Sequence, residues 1–181
     1  GARMQTLLND LLLLAKLEAT DYPSGNQPVL VPTLLQTIKN DAQALSGQRN
    51  QRITLEIDST LGLKGSEPEL RSAFSNLVFN AVKYTPAEGA IHIRWWGDEQ
   101  GAHLRVQDSG PGIEAKHLPR LTERFYRVDS SRASNTGGTG LGLAIVKHVL
   151  LRHRGTLDIS SVLGKGSSFT CHFAPAQEIK L

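Results

Sequence analysis

Asn76, Asn80 and Lys83 stand at i, i+4 and i+7 in the stretch "SNLVFNAVKY", so a helix here places all three on one face. Asn is a poor mid-helix residue because its amide competes for backbone hydrogen bonds. An amide oxygen can instead ligate a hard cation such as Mg²⁺. A Lys one turn on can meet a phosphate as a point charge. A solvated polar stripe is the plain alternative. In "LRVQDSGPG", Leu104 and Val106 alternate inward, and Asp108 falls on the same parity at the strand end. A buried carboxylate needs a donor. An adenine amino group would supply one, and Gly110 and Gly112 would let a flat base approach the backbone. An ordinary Asp-Ser-Gly turn is the alternative there. In "TGGTGLGLAIVKHV", Gly137, Gly138, Gly140 and Gly142 run directly into a helix pattern. Unpaired amides at a helix start attract an anion, most often a phosphate. A flexible loop ending at a helix is the alternative.

Two familiar phosphate loops fail on spacing. From Gly138 and Gly140, the sixth positions of a G-x-G-x-x-G pattern are Leu143 and Ile145. The Gly164-Lys165 pair has Ile159 where a P-loop needs its first glycine, and Gly166 where it needs Ser or Thr. Each stretch alone is weak. Their order assembles a metal ligand, a phosphate contact, a base selector and a second phosphate loop.

These side chains need a scaffold. Residues 2–19 predict a helix with an apolar stripe at Met4, Leu7, Leu8, Leu11, Leu14 and Ala15, ending before Asp21, Pro23 and Gly25. "VLVP" reads as a short strand, residues 32–46 as a helix and "RITLEI" as a strand. Residues 67–84 and 141–154 predict helices. "AIHIRWW", "AHLRVQD", "TLDIS" and "SSFTCHF" predict two hairpins. Hairpins with inserted helices imply an α+β fold, with a mixed, mostly antiparallel sheet covered by helices rather than a doubly wound parallel sheet. Residues 1–24 are expected to be a separate element with a linker, and residues 25–181 the main domain. A helix packed on the same domain is the alternative. A chain starting inside a helix pattern is expected to be a fragment.

Composition narrows the class. Hydrophobic residues make up 39% and charged residues 20% of the 181, as in ordinary globular proteins. The net charge of +3 is not gathered into the runs of a nucleic-acid footprint. The single Cys171 cannot form an internal disulfide and, in an alternating strand pattern, reads as a buried structural thiol. No apolar run is long enough to span a bilayer.

The motifs together resemble those of sensor histidine kinases. "NLVFNAVKYTP" is similar to their N box, "DSGPG" to the G1 box, "ERFYRVD" to the F box, "TGGTGLGL" to the G2 box and "GKGSSF" to the last glycine motif. The resemblance covers about residues 30–175. "PRLTERFYRVDSSRAS" with "GGTGLGLAIVKHV" is most similar to the phosphate-regulon branch of that family. The resemblance implies the two-layer α/β sandwich of the Bergerat fold, shared with gyrase B, MutL and a heat-shock chaperone. It also implies that residues 1–24 carry the second helix of a dimerisation and phosphoacceptor domain.

The roles that follow are those the resemblance implies. Asn80 ligates Mg²⁺ and Asn76 helps hold metal and phosphates. Lys83 contacts phosphate, and Tyr84 packs beside adenine or ribose. Asp108 selects adenine, with Gly110 and Gly112 beside the base. Gly138, Thr139, Gly140, Leu141 and Gly142 form the phosphate loop, with Leu141 and Leu143 expected to pack more than to touch ATP. Residues 113–137 form a lid anchored by Phe125, and Arg127 or Arg124 neutralises γ-phosphate charge. Thr122 stands where the family often has Phe, which bears on lid packing. The implied cofactors are ATP and Mg²⁺. The implied partners are ATP/ADP, a response regulator and a second copy in a full-length homodimer, with no nucleic acid, and with a membrane only through segments absent here. The implied setting is the cytoplasmic domain of a bacterial inner-membrane sensor. None of His92, His103, His117, His148, His153 or His172 stands in the family's His-Glu-x-x-x-Pro acceptor context. Asn76 stands where ATPases of the fold carry a Glu that activates water, so slow hydrolysis is expected.

Overall fold

The structure, a computed structural model, describes residues 2–128 and 139–181. Among them run α1 (Ala2–Glu18), β1 (Gln27–Val29), α2 (Val31–Ser46), β2 (Arg52–Ile57), β3 (Leu61–Gly65) and α3 (Glu67–Tyr84). Then come β4 (Ala90–Asp98), β5 (Gly101–Asp108), α4 (Gly142–Arg152), β6 (Gly155–Val162), β7 (Gly166–Phe173) and β8 (Glu178–Lys180). A five-stranded sheet has the order β2-β4-β5-β7-β6, and a three-stranded sheet has the order β1-β3-β8. Only the β2–β4 pairing of the large sheet is parallel, as expected for hairpins with one inserted crossover. Of the small sheet the sequence reading held only the strand at "VLVP"; β1 lies earlier, at Gln27–Val29, because α2 already starts at Val31. β3 and β8 are short, and β3 carries Gly62 and Gly65, so neither shows an alternation to read.

The core lies between the helices and one face of the large sheet. Ile91, Ile93 and Trp95 of β4, Leu104 and Val106 of β5, and Phe169, Cys171 and Phe173 of β7 are all buried there. They meet Leu70, Phe74, Leu77 and Val78 of α3 and Ile145 and Val149 of α4. Phe74 meets Phe173 edge-on, with ring centroids 6.1 Å apart. Burial drives the Cys171 thiol far above its ordinary range, so it is inert. The helix that carries the site starts cleanly. Ser66 caps α3 by accepting the Glu69 N–H, and Pro68 fits the first turn.

α1 packs on α4. Its buried residues are Leu14 and Leu17, with Leu7, Leu11 and Leu13 partly covered. Met4, Leu8 and Leu12 stay exposed, and so does Ala15. The packed face is therefore turned toward Leu17 relative to the expected stripe. Below it, the buried Arg152 guanidinium pairs with both oxygens of Glu69 at 2.9 Å and reaches the carbonyls of Leu17 and Thr20. Burial raises the Glu69 pKa, but hydrogen bonds from Arg152 and Ser24 outweigh this and hold it at about 2. That pairing fastens the chain after α1 to the domain.

Candidate functional site

At the end of β5, Asp108 is half-buried. Its Oδ1 accepts the Gly110 N–H at 2.9 Å and the Ser167 N–H at 3.3 Å. Oδ2 takes no hydrogen bond among the described residues. Burial pushes the carboxyl above its ordinary range, and the two N–H donors only partly offset this. The surrounding chain is fixed by close backbone approaches. Gly112 has φ +78°, and a Cβ there would lie 2.3 Å from the Val162 carbonyl oxygen. A Cβ on Gly110 would lie 3.2 Å from the Tyr84 carbonyl oxygen, so the base-side loop rests on the end of α3. The Tyr84 ring is exposed and sits 5.7 Å from the Lys83 ammonium.

On α3, Asn76 donates from Nδ2 to the Ser72 carbonyl at 2.8 Å. Its Oδ1 faces the first residue of α4: a Cβ on Gly142 would lie 2.7 Å from it. Asn80, one turn on, has no side-chain hydrogen bond among the described residues. Lys83 is half-buried, and burial, then the like charge of Arg127, hold its pKa below the usual lysine value. Two cations facing one space favour an anion between them. α4 begins without a side-chain cap and without an acidic residue in its first turn, so its first amides are left to solvent or an anion.

The glycine loop closes on the segment before it. Gly140 has φ +80°, and its carbonyl accepts the Phe125 N–H at 2.8 Å. Phe125 itself has φ +63° and an exposed ring, so its tie to the loop is main-chain rather than side-chain. Thr139 donates its hydroxyl to Asp10 of α1 at 2.7 Å and accepts the Leu141 N–H at 3.3 Å. Arg124 pairs with Glu18 of α1, which also lies 3.8 Å from His148. Leu141 is fully buried and Leu143 partly so, as expected for packing residues.

α3, the end of β5 and the start of α4 thus bring Asn76, Asn80, Lys83, Asp108, Gly110, Gly112, Gly140 and Gly142 to one side of the domain, with Arg127 beside Lys83. Arg124 is held away by Glu18. Gly138 and the last part of the expected lid, 129–137, lie outside the described residues, whereas 113–128 lie within them. Three partners went unread in the sequence: the Ser167 amide, Asp10 and Glu18. Asp10 did carry a signal. With Leu14 and Leu17 it falls at i, i+4, i+7 on the packed face, a carboxylate within an apolar stripe.

Residues 65–177 match the family described as "Histidine kinase-, DNA gyrase B-, and HSP90-like ATPase". The chain is 78% identical over 177 residues to the phosphate regulon sensor protein PhoR of Pseudomonas aeruginosa, covering 98% of this chain and 40% of that protein. It is 43% identical to PhoR of Haemophilus influenzae, covering 93% of this chain and 39% of that protein. The chain therefore spans about two fifths of the length of these curated relatives. Among solved structures, full-length ShkA in complex with AMPPNP is similar at TM-score 0.81 and 28% identity, over 95% of this chain and 35% of that one. The mycobacterial sensor histidine kinase MprB is similar at TM-score 0.73 and 27% identity, over 82% of this chain and 97% of that one.

Proposed function

The chain belongs to the histidine kinase-, DNA gyrase B- and HSP90-like ATPase family, and on that premise we propose that it is the ATP-binding catalytic domain of a two-component sensor histidine kinase serving phosphate regulation. The observation that carries this reading is Asp108. It is a half-buried carboxylate with one oxygen fixed by two amides and the other open to a donor, which suits the amino group of adenine. A guanine would turn its carbonyl oxygen toward that carboxylate, where two acceptors meet.

Lys83 and Arg127 face the phosphates, and the first amides of α4 meet them end-on. Asn80 would hold Mg²⁺. Its amide oxygen is a hard donor without a partner among the described residues, and the ion would neutralise phosphate charge. Asn76 cannot accept a proton as a base, so water is not activated and hydrolysis is slow. Transfer breaks the bond between the γ-phosphorus and the bridging oxygen, releases ADP and forms a phosphorus–nitrogen bond. The nitrogen belongs to a His of the dimerisation domain, which gives up its proton. None of the six histidines of this chain has the acceptor context, so the acceptor is supplied by another segment.

Residues 1–24 are read as the second helix of that dimerisation domain with its linker, and residues 25–181 as the catalytic domain. The exposed stripe of Met4, Leu8 and Leu12 supports this, since it suits a further helix of a homodimeric bundle. A response regulator would receive the phosphoryl group. The domain would work on the cytoplasmic side of a bacterial inner membrane. Among the described residues no helix is long and apolar enough to cross a membrane. No role with nucleic acid is proposed, since Arg120 and Arg124 pair with Glu123 and Glu18.

The test is phosphotransfer in trans. The chain is incubated with γ-labelled ATP and a separately prepared acceptor domain from the Pseudomonas relative. Acid-labile label on the acceptor, lost when Asn80 is changed to Ala, is the expected result. Label that stays in ATP, or is released only as inorganic phosphate, would contradict the proposal.

A further inference from the structure

The outer face of the large sheet, turned away from the helices, carries a side-chain cluster that the nucleotide site does not use. His103 of β5 and His172 of β7 are directly opposed in the antiparallel register. Their Nδ1 atoms converge to 2.7 Å. The far nitrogens are both held by carboxylates. His103 Nε2 lies 2.8 Å from Asp98 Oδ1, and His172 Nε2 lies 2.9 Å from Asp158 Oδ2. Trp96 stacks on His103 with ring centroids 5.1 Å apart, and the guanidinium groups of Arg94 and Arg105 lie over the same Trp96. The His103 side chain is only 4% exposed, whereas His172 is 34% exposed, so the pair is rigid on one side and open to solvent on the other.

Counting protons shows what the pair requires. An ionised carboxylate only accepts, so both Nε2 atoms carry hydrogen. Each ring, if neutral, then presents a bare lone pair at Nδ1. Both rings turn Nδ1, the nitrogen not held by a carboxylate, toward one point between the strands, where a metal ion fits after a small opening. With metal–nitrogen bonds of about 2.0–2.1 Å in tetrahedral geometry, the nitrogens sit about 3.3 Å apart. That is a shift of roughly 0.6 Å, within the reach of small ring rotations. The Asp98 and Asp158 carboxylates already stand as the outer partners that orient metal-binding imidazoles and raise their basicity.

We propose that His103 and His172 form a cross-strand site for a divalent transition-metal ion of the imidazole-binding class. Zn²⁺, Cu²⁺ and Ni²⁺ belong to that class, whereas Mg²⁺ and Ca²⁺ prefer oxygen donors. Water completes the shell on the exposed His172 side. The ion ties β5 to β7 on the sheet face turned away from the helices. The two sites therefore take different metals through different donors.

The experiment is a calorimetric titration of the chain with Zn²⁺ alone, repeated on His172→Gln, Asp158→Asn and His92→Gln. His92, whose ring nitrogens meet Thr54 and Glu56, is the control. One saturable site per chain is expected. His172→Gln should weaken it more than tenfold, Asp158→Asn should weaken it by about tenfold or more through the outer partner, and His92→Gln should leave it unchanged. In ¹⁵N spectra of the imidazoles, both Nδ1 resonances should move on Zn²⁺ addition while both Nε2 hydrogens remain. His172 is 34% exposed, so His172→Gln should remain folded without metal, read by its own melting transition. The proposal is overturned by the lack of a saturable Zn²⁺ site, or by one that His172→Gln leaves intact. The pair would then be a cross-strand contact without a metal.

Discussion

At the base end of the candidate site, Asp108 closes a strand in the middle of the large sheet, and the amides of Gly110 and Ser167 fix its oxygen. At the proposed phosphate end, Thr139 and Arg124 reach to Asp10 and Glu18 of α1. The first arrangement is main-chain and sheet, so it is present whenever the domain is folded. The second consists of side-chain bonds between partly exposed residues, so it depends on where α1 docks. On the proposed function, base selection would rest on sheet and backbone, whereas the glycine loop is tied to α1 through side chains.

The largest expected effect breaks the base end through its backbone. Gly112→Ala places a Cβ 2.3 Å from the Val162 carbonyl oxygen at φ +78°. Left-handed backbone costs about 1–2 kcal/mol and overpacking about 1–3 kcal/mol. The combined loss, about 2–5 kcal/mol, should lower the melting temperature by on the order of 10 °C. An unchanged melting temperature would mean that this end is not built as described.

Asp108→Asn sharpens the contrast without disturbing the backbone. ATP affinity should fall by about tenfold to a hundredfold, because the adenine donor meets a mismatched partner worth about 1–3 kcal/mol. Stability without nucleotide should move the other way. The folded carboxyl is raised by burial, so its contribution is full at low pH and is lost as pH rises through the raised value. The Asn variant escapes that loss, and near neutral pH it should melt at the same temperature or slightly higher. Weakened ATP binding together with a large fall in melting temperature would assign Asp108 to structure rather than to recognition.

Asn80→Ala acts between the two ends. It should abolish the Mg²⁺-dependent part of ATP affinity and leave Mg²⁺-free binding in place. Unchanged Mg²⁺ dependence would remove Asn80 as the ligand. The smallest effect belongs to the α1 links. Asp10→Ala with Glu18→Gln frees Thr139 and Arg124 to turn toward phosphate, and exposed pairs of this kind contribute about 0–1 kcal/mol. ATP should bind tighter by up to about fivefold, read by the same titration. Weaker binding would show that α1 supports the loop instead of restraining it.

The base end was legible in the sequence and the phosphate end only partly so, for a physical reason. Strand alternation through Leu104 and Val106 sets the direction of Asp108, and helical spacing sets Asn76, Asn80 and Lys83. Both follow from local periodicity. The helix over residues 67–84 was legible to the residue because Pro68 and the run of apolar positions mark it. By contrast, the pairing of Arg124 with Glu18 joins residues 106 apart in sequence and depends on how α1 docks on α4. No local pattern encodes that, and none encodes the main-chain bond from the Phe125 N–H to the Gly140 carbonyl. In the small sheet β3 and β8 were missed, because Gly62 and Gly65 interrupt β3 and the three residues of β8 carry no period to read.

The most direct test of the account is a calorimetric titration of the chain with a non-hydrolysable ATP analogue, with and without Mg²⁺, against its GTP counterpart. The account predicts one saturable site for the adenine nucleotide, tightened by Mg²⁺, and at least tenfold weaker binding of the guanine nucleotide. Equal affinity for the two bases, or no binding of either, would contradict it.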